Sequence, residues 1–434
     1  MLSFSALALA LGATLAPVQP APSLAVCMPS VISYEGSSEA PVLDAALARS
    51  LGPEALLRGI GELPIRDLRG FVDDNAQAVR ELIAAPPSAR AVETWWAALD
   101  RSEQAGLALL APELIGNLDG VPYEVRDRAN RAELASAQDE LRSRLSSGIG
   151  KGAASGVIDR LKMLNQIEES LERTDGGPAR RLIMLDTVMP GRAAVALGEL
   201  EEADYVSLLV PGALLSVREH MAEWTKVTAD IYDEQLRWGE RLDEDFTVAT
   251  VSWIGYQTPD VTNVAGLDLA EQGAAFLSST VNGLRSLRDG DEPYVSVFAH
   301  SYGATAVMLA LDSGDMSVDA LAMMGSPGGV AETVADLGVP EGRVWVGEAA
   351  WDPVVHTAFF GVDPGSPEFG ARRMSVAGSV DPVTGEVLTA SVGHDWYLEP
   401  GTESLRNLSL IGIDEGQYVT DGSADPGTTL ASER

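Results

Sequence analysis

A serine in the segment AHSYGATA (299–306) has neighbours that suit a catalytic nucleophile. Ser301 follows an apolar run typical of a buried strand, and it precedes a run of small residues typical of a helix. In a nucleophile elbow the strand and the helix pass very close together, so the residues two before and two after the serine must be small. Ala299 and Gly303 occupy these positions. The segment therefore predicts a nucleophilic serine on a sharp strand-to-helix turn.

The predicted base for this serine is His394. A serine hydroxyl becomes a good nucleophile when a histidine, backed by a carboxylate, accepts its proton. In a parallel α/β sheet that carries such a turn, the acid and then the histidine follow the serine along the chain. His220 and His300 precede Ser301, and His356 comes just after the acidic candidate. His394 is therefore the histidine that fits this order.

The predicted acid is Asp352, which follows the strand-like segment RVWVGEA (343–349). Catalytic side chains of such sheets lie at the carboxyl ends of the strands, where this aspartate is expected. A role in starting a turn is the competing interpretation, because Pro353 comes next. Asp381 and Asp395 are the alternative acids.

Two backbone N–H groups are predicted to stabilise the oxyanion of the reaction. The first belongs to Tyr302, directly after the nucleophile. The second belongs to Ala213 or Leu214 in LLVPGALL (208–215), where Gly212 allows a close approach of the backbone. A plain Pro-Gly turn is the competing interpretation of this loop.

Ser326, in the segment MGSPGG (324–329), is the rival nucleophile. The residue after a nucleophilic serine should offer its N–H to the oxyanion, and Pro327 has none. The chemistry therefore favours Ser301.

Five residues near these elements are predicted to contact the substrate: Gly212, Leu214, His300, Trp253 and Tyr256. The tryptophan and the tyrosine are near the end of a predicted strand, where aromatic rings can line an apolar pocket. Packing in the core is an equally good interpretation of both rings. His300 has the alternative role of packing beside the turn.

The composition excludes several classes of function. The 434 residues include 64 acidic and 30 basic ones and carry a formal net charge of −34, which repels nucleic acids and anionic lipids. One cysteine and four histidines form no cluster at zinc spacing, so we expect neither a metal nor another cofactor. No apolar run reaches the length of about 18 residues that a membrane span needs. The expected partner is a small acyl substrate.

The N-terminal residues resemble an export signal. Residues 4–18 form an apolar run, and Ala25 ends a short segment of small residues that fits a cleavage site. However, no Lys or Arg occurs before Arg49. We expect a signal segment and linker over 1–38 and a secreted or cell-envelope location, with a cytoplasmic protein as the alternative.

The spacing of apolar residues and the local composition divide the rest of the chain into three regions. Residues 39–178 have apolar residues at spacings of three and four, broken by prolines, which predicts short helices. Residues 179–413 alternate β-rich runs with helical patterns, which predicts a three-layer α/β sandwich with a mostly parallel sheet. Residues 414–434 are acidic and rich in Gly, Ser and Thr, and are predicted to be a disordered tail. The segment GIGKGAASG (148–156) is interpreted as a flexible link between helices rather than a phosphate loop, because no strand precedes it.

Several longer segments together resemble a known family. They are GNLDGVPYEVRDRANR (116–131), GRAAVALGELEEADYVSLLVPG (191–212), SWIGYQTPD (252–260), AHSYGATA (299–306) and MGSPG (324–328). They are similar to an α/β-hydrolase family that is catalogued as a domain of unknown function and is esterase- or lipase-like by fold. The resemblance covers about residues 92–400. It implies an α/β-hydrolase sandwich with an N-terminal helical extension and a triad of Ser301, Asp352 and His394, with Ala299 where the family usually has glycine.

We therefore expect a metal-independent serine hydrolase that acts on carboxylic esters through an acyl-enzyme. An amidase or an acyltransferase would use the same triad. A non-catalytic binding module of the cell envelope with the hydrolase fold is the alternative from another class. In the segment 116–131, Asn117, Asp119, Arg126 and Arg128 are predicted to form a polar network that ties the helical region to the sheet.

Overall fold

The computed structural model describes residues 43, 45–173, 176–242 and 244–423. The predicted signal segment and linker, residues 1–38, and the last part of the predicted tail, residues 424–434, lie outside the described residues. Within the described part of the chain, no helix combines the length and the apolar character that crossing a membrane requires.

The described chain is helical from residue 45 to residue 170. Its helices are α1 (Ala45–Ser50), α2 (Pro53–Gly61), α3 (Ile65–Asp74), α4 (Ala76–Ala84), α5 (Ala89–Ala98), α6 (Arg101–Leu110), α7 (Pro112–Ile115), α8 (Tyr123–Ser146) and α9 (Lys151–Ser170). Proline begins α2 and α7, where its missing N–H costs nothing. Asp100 caps α6 in a capping box with Glu103. Lys151 begins α9, so the predicted flexible link is wrong for residues 151–156.

An eight-stranded sheet follows in the described chain. Its strands are β1 (Arg180–Asp186), β2 (Arg192–Leu197), β3 (Tyr205–Val210), β4 (Val248–Ile254), β5 (Tyr294–His300), β6 (Ala320–Met324), β7 (Val344–Gly347) and β8 (Arg372–Arg373). Their order is β1-β2-β4-β3-β5-β6-β7-β8, with β1, β2 and β4 paired antiparallel and the other neighbours parallel. The central strands are almost fully buried because helices cover both faces. The predicted fold class is confirmed.

Four more helices belong to this sandwich: α10 (Val217–Leu242), α11 (Asp268–Leu287), α12 (Tyr302–Asp312) and α13 (Glu403–Gly412). Apolar residues of α11 and α12 pack on one face of the sheet. Those of α8, α9, α10 and α13 pack on the other face. Helices α1 to α7, together with Ala129 of α8, form a separate apolar core. A small hairpin of β9 (Ser379–Val380) and β10 (Val387–Leu388) lies outside the main sheet.

A buried polar network joins the helical region to the sandwich. Arg126 of α8 forms an ion pair with Asp119 at 2.6 Å, and both side chains are buried. The second oxygen of Asp119 accepts a hydrogen bond from Ser279 on α11. Asn117 donates to and accepts from the backbone of Leu185 on β1. The predicted network is therefore present around these residues.

Other side chains of α8 complete this network. Asp127 accepts from the N–H of Leu182, and Asn130 donates to its carbonyl group. Arg128 was the fourth residue predicted for the network, but its side chain is exposed. Helix α8 presents Asp127 and Asn130 to β1 instead, and these two residues belong to the network in place of Arg128.

The predicted start of the tail at residue 414 is wrong. Residues 416–418 form a short 3-10 helix, and the carbonyl of Thr420 accepts a hydrogen bond from the N–H of Ser375. Asp414 forms an ion pair with Arg343. The chain is held against the sandwich up to Thr420, whose hydroxyl group bonds to Asn407 and Glu403.

Candidate active site

Ser301 lies on the turn between β5 and α12. Its φ of 54° and ψ of −129° lie outside the regions that most residues adopt, which is the strain expected of a nucleophile elbow. The N–H of Ser301 donates to the carbonyl of Met324 on β6 and fixes the turn to the sheet. Gly303 is needed because a Cβ atom there would lie 2.5 Å from the carbonyl oxygen of Pro211. The predicted turn is present.

The structure brings the side chains of Ser301, His394 and Asp352 together. The Nε2 atom of His394 lies 2.7 Å from the Oγ atom of Ser301. Its Nδ1 atom lies 3.0 Å from each carboxylate oxygen of Asp352. In this order of contacts, the histidine can accept the proton of the serine hydroxyl while the carboxylate orients the histidine ring.

Backbone contacts hold the acid and the base side by side. Asp352 follows β7, and the N–H of Gly393 donates to the carbonyl of Ala350 across the two loops. Gly325 has a φ of +59°, and a Cβ atom there would lie 2.8 Å from the carboxylate of Asp352. Glycine at this position therefore leaves room for the acid. The alternative acid Asp381 is paired with buried Arg406 instead.

Three donors stabilise the charged form of Asp352. Burial alone would raise the pKa of this carboxyl group, but hydrogen bonds from His394, from the Tyr397 hydroxyl and from the N–H of Val354 hold it below its usual value. The Tyr397 hydroxyl lies 2.7 Å from Asp352 and accepts a hydrogen bond from the N–H of Ala349. Asp352 therefore remains an anion and an acceptor for His394.

Sequence reasoning overlooked Tyr397 as a functional residue. Its position three residues after His394 was the available signal. We expect Tyr397→Phe to lower kcat/KM for an ester by roughly 10-fold, because a hydrogen bond to a charged group contributes about 1.5–3 kcal/mol. The pKa of Asp352 should rise, so the acidic limb of the profile of kcat/KM against pH should move to higher pH. Tyr418→Phe, at a partly exposed tyrosine, is the control, and an unchanged acidic limb in Tyr397→Phe would contradict this role.

The loop after β3 approaches the nucleophile closely. A Cβ atom at Gly212 would lie 2.5 Å from the Cβ atom of Ser301, so only glycine fits there. The Tyr256 hydroxyl donates to the carbonyl of Pro211 at 2.7 Å and positions the loop. The N–H of Leu214 donates to the carbonyl of Pro259, so it is not a free oxyanion donor. Ala213 is therefore the candidate donor of this loop.

The second candidate donor is the N–H of Tyr302, the first residue of α12. The first N–H groups of a helix have no partner within the helix, and they carry the positive end of its dipole. The Tyr302 hydroxyl donates to the carbonyl of Gly266 and accepts from the N–H of Ala270, which fixes the loop before α11. One residue thus offers a donor to the site and secures a neighbouring loop.

Three predicted substrate contacts do not match the structure. Trp253 and Tyr256 are almost fully buried, and their rings stack on each other beneath the site with centroids 5.9 Å apart. The Trp253 N–H faces Thr280 on α11. Leu214 has a φ of +67° and is not among the residues that line the cavity at Ser301. Aromatic residues at these strand positions face the core because helix α11 covers them.

His300 packs beside the turn, which was the alternative interpretation of this residue. Its Nε2–H donates to the carbonyl of His394 at 2.7 Å, and the two rings lie 4.7 Å apart. Burial, reinforced by His394, lowers the pKa of His300 to about 3. His300 is therefore neutral at ordinary pH and supports the backbone of the base.

The low pKa of His300 predicts that stability depends on pH. An unfolded chain protonates this ring below pH ~6.5, whereas the folded protein does so only near pH 3, so stability falls as the pH falls between these values. At pH 4.5 this loss amounts to roughly 2–3 kcal/mol. In His300→Gln, which keeps a donor without a titrating group, the decrease in unfolding free energy from pH 7 to pH 4.5 should be smaller by about that amount. Denaturant unfolding at both pH values measures it, and equal decreases in both proteins would contradict it.

A small cavity opens beside the Ser301 hydroxyl. Its volume is about 80 Å³. It is lined by Ala213, Val261, Thr262, Val264, Ala265, Ser301, Tyr302, Pro327, Val354, Thr357, Phe359 and Phe360. Both candidate oxyanion donors belong to residues of this lining. The cavity therefore lies where a substrate carbonyl would have to bind.

One group of side chains in the described chain has the composition of a metal site: Glu348, His356 and Asp363. The Nδ1 atom of His356 is already within 2.9 Å of Asp363, and Arg373 forms an ion pair with Glu348 at 2.6 Å. These contacts satisfy the group with protein partners, and it has no part in the arrangement around Ser301.

Comparison with known families identifies the class of this fold. Residues 186–362 match the sequence model of a family described as alpha/beta hydrolase. This part of the chain, which contains Ser301 and Asp352, is therefore similar to α/β hydrolases, in agreement with the observed fold.

Curated relatives occur among mycobacteria. An uncharacterized protein of Mycobacterium tuberculosis (strain CDC 1551 / Oshkosh) is 28% identical over 396 residues, which cover 79% of this chain. The chain spans 58% of that relative's length. An uncharacterized protein of Mycobacterium bovis (strain ATCC BAA-935 / AF2122/97) is 28% identical over 219 residues, which cover 49% of this chain and 78% of that protein. Among solved structures, a dienelactone hydrolase from Anabaena variabilis aligns with 56% of this chain and 99% of its own, with a TM-score of 0.34 and 13% identity.

Proposed function

We propose that the protein is a serine hydrolase that cleaves carboxylic esters through an acyl-enzyme intermediate. The observation that supports this most directly is the continuous set of contacts from Ser301 Oγ through His394 to Asp352, built on a strained turn. The match of residues 186–362 to the sequence model of an alpha/beta hydrolase family also supports this proposal. A serine that attacks an ester carbonyl group receives the acyl group of the substrate, so the nucleophile implies an acyl-enzyme intermediate.

The first half of the reaction acylates Ser301. His394 Nε2 accepts the hydroxyl proton while the Ser301 oxygen bonds to the ester carbonyl carbon, and the carbonyl oxygen becomes an oxyanion. The N–H groups of Ala213 and Tyr302 stabilise this oxyanion. The C–O bond to the alcohol then breaks, and the proton on His394 passes to the departing alcohol oxygen. Asp352 stabilises the imidazolium and holds its Nδ1–H.

The second half releases the acid. A water molecule gives a proton to His394 and attacks the acyl carbonyl carbon, and the second oxyanion uses the same two donors. The bond to Ser301 Oγ then breaks, and His394 returns the proton to the serine. An amine or another alcohol in place of the water would make the protein an acyltransferase, and an amide substrate would make it an amidase.

A fluorophosphonate probe tests this proposal. It reacts with a serine activated by a base, so we expect one adduct, on Ser301, located by peptide mass spectrometry. Ser301→Ala and His394→Ala should lose it, while His356→Ala, which changes a histidine outside the site, should keep it. A folded protein that stays unlabelled, or carries its adduct elsewhere, would favour a non-catalytic binding module. Parallel rates with p-nitrophenyl acetate and the matching anilide decide between ester and amide.

A further inference from the structure

We propose that the cavity beside Ser301 is the acyl pocket and that Phe360 limits it to short acyl chains of about two to four carbons. This inference rests on the proposed function, because it assigns the acid part of the same ester substrate. It also identifies a specificity-determining residue on a loop far from Ser301 in sequence.

The lining places the cavity at the reacting carbon. It includes Ser301 itself and both candidate oxyanion donors, Ala213 and Tyr302. A carbonyl carbon bonded to Ser301 Oγ, with its oxygen directed at the two N–H groups, has its remaining substituent next to this cavity. Three larger cavities of about 360–1050 Å³ lie elsewhere in the described structure, and none of them includes Ser301.

The volume of the cavity sets the length of the chain. At about 80 Å³ it is smaller than the 300–1,000 Å³ of most ligand pockets. A water molecule takes about 30 Å³ in the liquid, and a methylene group is of similar size, so the space holds roughly two to three carbon atoms beyond the carbonyl carbon, which corresponds to acyl chains of up to about four carbons. The side chains of its lining are mostly apolar, which suits a hydrocarbon chain and offers no partner for a charged acyl group.

Phe360 forms a fixed wall of the cavity. Its ring packs edge-on against Tyr302, with centroids 5.4 Å apart, and against Phe359, with centroids 4.8 Å apart. Tyr302 in turn stacks on buried Tyr256 at 6.5 Å. Because this aromatic row continues into the core, the Phe360 ring has little freedom to move aside for a longer chain.

Backbone hydrogen bonds also hold the loop that carries Phe360. The N–H of Phe359 donates to the carbonyl of Pro327 at 2.7 Å. Gly329 and Val362 exchange two hydrogen bonds, at 2.8 and 3.1 Å. The wall is therefore tied to the segment after β6 on both sides of Phe360. Val261, on the opposite loop, is 51% exposed and lies at the open side of the cavity.

A series of p-nitrophenyl esters from acetate to decanoate tests the inference, with fluorophosphonate labelling of each protein as the count of active sites. Wild-type kcat/KM should be highest between acetate and butyrate and fall by roughly 10-fold for each methylene that no longer fits. In Phe360→Ala the optimum should move to hexanoate or octanoate, and the ratio of kcat/KM for hexanoate to that for acetate should rise at least about 10-fold. Phe360→Leu should give an intermediate shift.

Two further variants keep the test decisive. Val264→Phe fills the cavity and should reduce the rate with butyrate more than the rate with acetate. Phe276→Ala is the matched control, because this phenylalanine also packs partly buried against the same core but stacks on Arg192 outside the cavity. It should leave the dependence on chain length unchanged. If Phe360→Ala does not fold, Phe360→Leu and Val264→Phe still shift the profile in opposite directions.

The outcomes separate this inference from the proposed function. A wild-type optimum at octanoate or longer in labelled protein, or an unchanged profile in Phe360→Leu and Val264→Phe, would overturn the acyl pocket and leave the serine hydrolase in place. A change in the preferred alcohol chain, with the acyl preference unchanged, would also overturn it and assign the cavity to the leaving group. Absence of both labelling and hydrolysis would remove the proposed function and this inference with it.

Discussion

Replacing Ser301 with alanine is expected to lower kcat for p-nitrophenyl acetate by about 10⁵–10⁶-fold, close to the full contribution of the three side chains. The Oγ atom is the group that His394 Nε2 contacts at 2.7 Å, and no acyl-enzyme forms without it. The site is otherwise preserved, because alanine keeps the Cβ atom beside Gly212. Initial rates at saturating substrate, with circular dichroism to verify folding, provide the measurement.

Ser326→Ala is the control for this prediction. Ser326 is a buried serine in the neighbouring loop, and its hydroxyl accepts a hydrogen bond from the N–H of Gly328. We expect its kcat to remain within about twofold of the wild type, since small polar changes away from the reacting atoms have modest effects. Loss of activity in Ser326→Ala, with activity retained in Ser301→Ala, would show that Ser326 is the nucleophile and that Ser301 is not.

Replacing Asp352 with asparagine is expected to lower kcat by roughly 10⁴-fold. The amide can donate a hydrogen bond to Nδ1 of His394, which favours the tautomer whose Nε2 carries the proton and cannot accept one from Ser301. The two 3.0 Å contacts of Asp352 become those of a neutral group, so the imidazolium also loses its counter-charge. Steady-state rates of the ester used for Ser301→Ala measure the effect.

Asp363→Asn is the matched control for the acid. Asp363 lies on the loop that follows Asp352 and binds exposed His356 rather than His394. Its kcat should stay within about twofold of the wild type. A decrease in Asp352→Asn no larger than that of the control would show that another group orients the base.

The sheet and the candidate triad were accessible from the sequence because both follow from local patterns. Buried parallel strands give unbroken apolar runs, and the apolar run predicted as a strand before Ser301 is β5 in the structure. The chain order of Ser301, Asp352 and His394 selects residues at the carboxyl ends of strands, and parallel strands bring those ends to one edge. Short sequence motifs and their order along the chain are therefore sufficient to predict the sheet and the candidate triad.

The parts that sequence reasoning missed depend on contacts between distant segments. Tyr397 reaches Asp352 from 45 residues away, and the segment between them, which contains only the short strands β8 to β10, has no long periodic pattern. Phe360 lies in the same segment, and it lines the cavity beside Ser301 and packs on Tyr302. The sequence predicts Trp253 as a substrate contact, although it is buried, because an aromatic residue at a strand end suits a pocket and a core equally well. Only the three-dimensional packing distinguishes these cases.

The buried pair of Arg126 and Asp119 limits how far the protein can be shortened for biochemical work. A fragment that starts at β1 would contain Ser279 on α11 but not the aspartate that binds it, and it would expose the backbone edge of β1 that Asn117 and Asn130 cover. Cutting between Asp119 and Arg126 would leave a buried guanidinium group without its counter-charge, which typically costs 3–5 kcal/mol. The smallest fragment expected to be expressed in folded form therefore begins before Gly116, well ahead of the hydrolase sheet.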